Sequence, residues 1–162
     1  MRLPHWHSGL WQISLIAISL LAAATARAQV PALLLGQWEM HQISFVAHQT
    51  VTPDIMERMD NPEVGELNQE VAADVAHLRV EFRPDGTYRF TVQRLGQPDR
   101  LETGTYTVHA NVLLAQSPGT VGGPSFDQQR LIQLNRRKLV VEFPVGQDLP
   151  GVMEEIEYRR VR

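Results

Sequence analysis

The sequence predicts an all-β fold: an eight-stranded antiparallel up-and-down barrel with a short helical insert between the first two strands. Three observations predict it. From Leu78 onward apolar side chains recur with a period of two, the mark of strands with one buried face. Turn-forming phrases such as Pro84-Asp85-Gly86 punctuate these runs. The links between runs alternate in length: 47–77, 95–100, 117–127 and 144–151 are long, while 84–86, 109–111 and 135–137 are tight. In a meander, alternate links lie at opposite ends, so the long loops gather at one end and the tight turns at the other. Eight such strands either close into a small barrel or split into two sheets; closure gives one sealed base and one elaborated mouth.

The first apolar segment runs from Leu33 to Val46. Trp38 and Met40 share one parity and Ile43 and Phe45 the other, which a bulge near His41–Gln42 reconciles. The insert, about 52–75, contains Thr52-Pro53-Asp54 and Asn61-Pro62-Glu63, each an N-cap followed by proline at the first helical position. Val64, Leu67, Val71, Val75 and Leu78 fall on one helical face. That face, with Met56 and Met59, must cover something: a fixed cap on the mouth, or a movable lid over a ligand. The remaining strands are Leu78–Phe82, Tyr88–Gln93, Leu101–Val108, Val112–Gln116, Gln129–Leu134 (Ile132 and Leu134 in phase), Lys138–Phe143 and Val152–Arg160.

Residues 1–28 read differently. Arg2, the uncharged run Ile13–Ala24 and Ala26-Arg27-Ala28 make the three parts of a secretory signal peptide. The apolar run is too short to span a bilayer, so no stable membrane anchor is expected. With no cysteine, lipid attachment is excluded. Cleavage after Ala28 leaves a 29–162 domain in the periplasm or outside the cell, held together by its core without disulfides. Of the 15 Lys and Arg residues, Arg2 and Arg27 lie in the leader, leaving 13 against 18 Asp and Glu. That acidic balance offers no basic field for nucleic acid.

Candidates for chemistry are few. His41, His48, His77 and His109 fall at no metal-binding spacing, and no metal or cofactor is expected. There is no Gly-x-Ser-x-Gly and no cysteine nucleophile. Gly119-Thr120-Val121-Gly122-Gly123 lacks the lysine and following helix of a phosphate cradle. Glu154, Glu155 and Glu157 read as a solvated strand face. The chain is not expected to be an enzyme.

Gly36-Gln37-Trp38 opens the first strand; Asp85-Gly86-Thr87-Tyr88 and Gly104-Thr105-Tyr106-Thr107-Val108 form hairpin phrases; Glu157-Tyr158-Arg159-Arg160-Val161 ends the last strand. On these motifs the chain resembles the bacterial lipocalin-like proteins across most of 34–161. The resemblance implies that Trp38 plugs the barrel base and that Arg159 or Arg160 packs over it as a cation–π contact. It also implies that the long first loop folds across the mouth. The functional expectation is an exported, non-enzymatic binding protein holding a small apolar or amphipathic ligand at the mouth. Met40, Phe45, Phe90, Tyr106 and Phe126 are its candidate ligand contacts. The alternative is a protein–protein interaction or hydrolase-inhibitor module with a filled barrel. Phe126, in a Gly/Pro-rich loop, either tucks under that loop or is offered to a partner.

Overall fold

The computed structural model describes residues 30–118 and 123–162. The proposed leader, and most of the Gly119–Gly123 loop, lie outside the described residues. Among the described residues no helix is long and apolar enough to cross a membrane.

The elements are β1 (Gly36–Ala47), α1 (Pro53–Arg58), α2 (Pro62–Ala72), β2 (Ala76–Phe82), β3 (Thr87–Arg94), β4 (Arg100–His109), β5 (Val112–Gln116), β6 (Gln129–Leu134), β7 (Lys138–Pro144) and β8 (Val152–Arg160). Each strand pairs antiparallel with the next, and β8 returns to β1, so the sheet closes into a barrel with strand order β1 to β8. The fold is therefore the all-β, closed eight-stranded antiparallel barrel that the alternation predicts, with two short helices between β1 and β2. The tight turns gather at the base and the long links at the mouth.

The β1 bulge falls between Met40 and Gln42. A second bulge falls between Leu131 and Gln133 in β6. It corrects the phase expected there: Leu131 pairs with Val141 and Leu134 with Leu139, while Ile132 is the extra residue and is exposed. The helical insert needs a correction as well. Asn61 caps α2 as expected, its side chain accepting from the Glu63 and Val64 amides. The helix then stops at Ala72. Asp74 adopts a left-handed backbone (φ 61), and the Asp74 and Val75 amides donate back to the Val71 and Glu70 carbonyls. Val75 is consequently exposed, and Leu78 belongs to β2.

α2 docks beside the barrel. β1 and β2 pair only over Gly36–Glu39 with Arg79–Phe82. Above that point β1 loses its β2 partner, and α2 takes the place. Asn68 accepts from the Ile43 amide and donates to the Ile43 carbonyl, both at 2.8 Å. Its side-chain amide thus stands in for one peptide of a missing strand. Val64, Leu67 and Val71 pack against the core from this side.

The base is sealed by a compact group. Trp38 is fully buried and donates from Nε1 to the Leu34 carbonyl at 2.8 Å. The Arg160 guanidinium carbon lies 4.2 Å from the centre of the Trp38 ring. Arg160 also donates to the carbonyls of Leu35 (2.7 Å), Arg136 (3.0 Å) and Leu33. It thereby joins the entry to β1, the β6–β7 turn and the end of β8. Arg159 instead points outward, toward Glu157. Gly36 is required here: its φ is +115°, and a β-carbon would sit 2.7 Å from Arg160 Nη1.

Arg160→Ala should lower unfolding free energy by about 2 kcal/mol, through loss of the cation–π contact and of hydrogen bonds from a charged donor. Arg160→Lys should recover only a minor part, because one ammonium cannot reach three carbonyls and stack at once. Denaturant melts of the two variants check this; equal stability of Arg160→Lys and the parent chain would refute it.

Candidate functional site

Strand pairing orders the lumen into rungs, since directly opposed residues share a face. Across β1, β8 and β7 one rung is Met40, Tyr158 and Leu139, the next Ile43, Ile156 and Val141, and the last Phe45, Glu154 and Phe143. On β3 and β4 the inward residues are Tyr88, Phe90 and Val92 opposite Gly104, Glu102 and Arg100. Gly104 leaves room for the Tyr88 ring, which a β-carbon would meet at 2.8 Å.

The lower lumen is full. Phe126 comes down from the β5–β6 loop and is 1% exposed. Its ring centre lies 5.1 Å from Phe90, 5.6 Å from Phe82, 5.8 Å from Tyr88 and 6.2 Å from Tyr158. Three of these pairs are edge-on, a favoured geometry for aromatic rings. Tyr106 packs edge-on against Phe82 at 4.9 Å. Four of the five residues singled out from sequence, Met40, Phe90, Tyr106 and Phe126, therefore lie in the packed core. Phe126 tucks inward.

A buried carboxylate pins the loop that carries Phe126. Glu102 is 4% exposed and accepts from the Tyr88 hydroxyl (2.6 Å), the Ser125 hydroxyl (2.6 Å) and the Ser125 amide (2.9 Å). Arg100 donates to it at 3.3 Å. Desolvation pushes the Glu102 carboxyl upward, but the Ser125 and Tyr88 hydrogen bonds outweigh it and hold the group below its usual range. Gln129 donates to the Ser125 carbonyl at 2.6 Å, and Asp127 accepts from the Ala115 amide at 3.2 Å.

The mouth rung differs. Phe45, Glu154 and Phe143 face inward yet stay partly exposed, and neither ring touches another ring among the described residues. Glu154 corrects the reading of residues 154–157 as one solvated face. Val152, Glu154, Ile156 and Tyr158 share the inward parity; Glu155 and Glu157 point out. Burial raises the Glu154 carboxyl above its usual range. The other charged side chains on the inward strand face are paired: Arg94 with Glu70 of α2 (2.7 and 2.9 Å) and Arg100 with Glu102.

On the outer wall the fold gathers a group that no sequence spacing reveals. Glu142 is fully buried and opposes Glu155 across β7–β8, an unfavourable like-charge pair. His48 Nε2 lies 2.8 Å from Glu142, and the Arg130 guanidinium rests on the same carboxylate. His48, Glu142 and Glu155 could offer a metal three donors within 4.8 Å of one another. Arg130 already supplies positive charge there, and the group is accounted for as an ion-pair network. His77 is likewise engaged, with Glu39 at 2.9 Å. A polar groove lined by Arg79, Glu81, Arg89, Gln93 and Asp99 lies on the outside of β2–β4.

No protein-family model and no curated protein matches the chain. Among solved structures, bovine odorant-binding protein with a selenium-containing odorant is similar at 16% identity and a TM-score of 0.42, over 83% of this chain and 74% of that one. Bovine odorant-binding protein with its natural ligand, and with undecanal, are each similar at 18% identity with the same score, over 83% of this chain and 75% of theirs. The class assigned above, a closed eight-stranded barrel, stands on the strand register of the chain itself.

Two outcomes follow. Phe126→Ala should cost about 3–5 kcal/mol of stability, as a large core ring lost from a packed lumen; a loss under about 1 kcal/mol in denaturant melts would mean the ring does not fill it. Glu154→Gln should raise the unfolding midpoint at neutral pH. A carboxyl whose folded pKa is raised favours the folded state below its unfolded pKa, and that contribution is lost as pH rises through the folded value. The gain from Glu154→Gln should therefore vanish as the melts are repeated toward acid pH; a gain independent of pH would contradict the assignment.

Proposed function

We propose that the chain is an exported, non-enzymatic, lipocalin-like binding protein that holds a small apolar or amphipathic ligand at the barrel mouth. The observation that carries this reading is a partly exposed aromatic rung in the lumen. Phe45, Glu154 and Phe143 face inward yet keep partial access to solvent near the end where the long loops gather, below the buried Val152, while Trp38, Met40, Leu139 and Tyr158 toward the base are sealed. Because Phe126 fills the lower lumen, the site is shallow, and only the upper rung and the flank of α2 receive the ligand. Phe45 is the one sequence-chosen contact retained in it. The leader-like residues 1–28 support export. The filled lower barrel is also the observation that favours the second reading, a protein-interaction module. Against that reading, Phe126 is turned inward and is not offered to a partner.

Calorimetric titration with decanol should show one ligand per chain. Phe45→Ala and Phe143→Ala should each weaken binding about tenfold through lost apolar contact. Saturable binding that neither substitution affects would refute the mouth site. N-terminal sequencing of the exported protein should begin at Gln29. Purification from the native host with a tightly held protein, and no decanol binding, would favour the interaction module.

A further inference from the structure

We propose that the mouth site selects ligands with a cationic head, a primary ammonium on an apolar tail, and that Glu154 is the residue that selects them. This rests on the mouth-binding reading above and specifies the ligand class.

The argument is one of charge and placement. Glu154 lies on the inward face of β8 between Phe45 of β1 and Phe143 of β7, its directly opposed neighbours. Such neighbours have their β-carbons about 5 Å apart, so both aromatic side chains leave the sheet beside that of Glu154. Among the described residues Glu154 has no hydrogen bond or ion pair with another side chain, while the other charged residues on the inward strand face are paired. Arg94 is held by both Glu70 oxygens. Arg100 is spent on Glu102, which is further satisfied by Tyr88 and Ser125. The next inward polar group on β8 is the Tyr158 hydroxyl, near enough to feel the Glu154 charge, and it is neutral. Among the described charged residues on the inward face of the strands, Glu154 is therefore the one without a partner of opposite charge.

An uncompensated carboxylate among apolar side chains is unfavourable until a cation joins it. An ammonium head supplies charge-assisted hydrogen bonds to the carboxylate and a cation for the two ring faces, while its tail covers the Phe45 and Phe143 side chains. A carboxylate head would be repelled at the same spot. A hydroxyl head would donate one hydrogen bond without charge. Partial burial raises the Glu154 carboxyl, and no partner among the described residues offsets that desolvation.

The test compares decylammonium, decanol and decanoate, which share one tail, by calorimetry on the purified protein at neutral pH. Decylammonium should bind at least ten-fold more tightly than either of the others. Glu154→Gln should abolish that preference, bringing decylammonium and decanol within about two-fold of each other. Glu155→Gln, on the outer face, should leave the preference intact. Equal or tighter binding of decanol or decanoate by the parent chain would overturn the proposed selectivity but leave the mouth site standing. A preference that survives Glu154→Gln would overturn the role of this residue. Binding of none of the three would overturn the proposal together with the reading on which it rests.

Discussion

Closure of β8 onto β1 is the constraint from which the rest of this structure follows. Eight strands enclose a lumen scarcely wider than the side chains that point into it. Every inward position must then be chosen against every other. Gly104 is small because Tyr88 is large and opposite. Trp38 and Arg160 occupy the narrow end because a flat ring covered by a flat guanidinium seals it while satisfying the carbonyls around it. Phe126 completes the packing from outside the strand system, and the carboxylate of Glu102 is buried to keep its loop in place. The proposed binding function falls to the partly exposed Phe45–Glu154–Phe143 rung, above the part of the lumen that Phe126 fills.

The architecture was largely legible because it is written in parity. The shift from Trp38 and Met40 to Ile43 and Phe45 located the first bulge, and the turn phrases located the base. The second bulge escaped because its extra residue, Ile132, is apolar and so mimics an in-phase core position beside Leu134. The end of α2 escaped because its left-handed residue is Asp74 and not glycine, and because Val75 and Leu78 continue the helical spacing by coincidence.

The site was less legible, for a different reason. Phe126 lies in a loop, where no periodicity assigns a direction, so only three-dimensional contact places it in the lumen. Glu102 and Glu154 are carboxylates on core parity. A reading that weighs residue type above phase assigns both to solvent, although counting back by twos from Tyr158 through Ile156 reaches Glu154. The association of His48, Arg130, Glu142 and Glu155 depends on pairing across three strands and a loop, which linear spacing does not encode.

Asn68 has a consequence of another kind. By bonding both the amide and the carbonyl of Ile43, it covers the stretch of β1 that β2 leaves bare. An uncovered strand of this sort is a template for any other extended chain. α2 is thus a guard against self-association as well as a wall of the barrel. Were that helix to peel away, the bare rim of β1 could recruit the same segment of a second molecule, and the route to aggregation would begin at a single amide side chain.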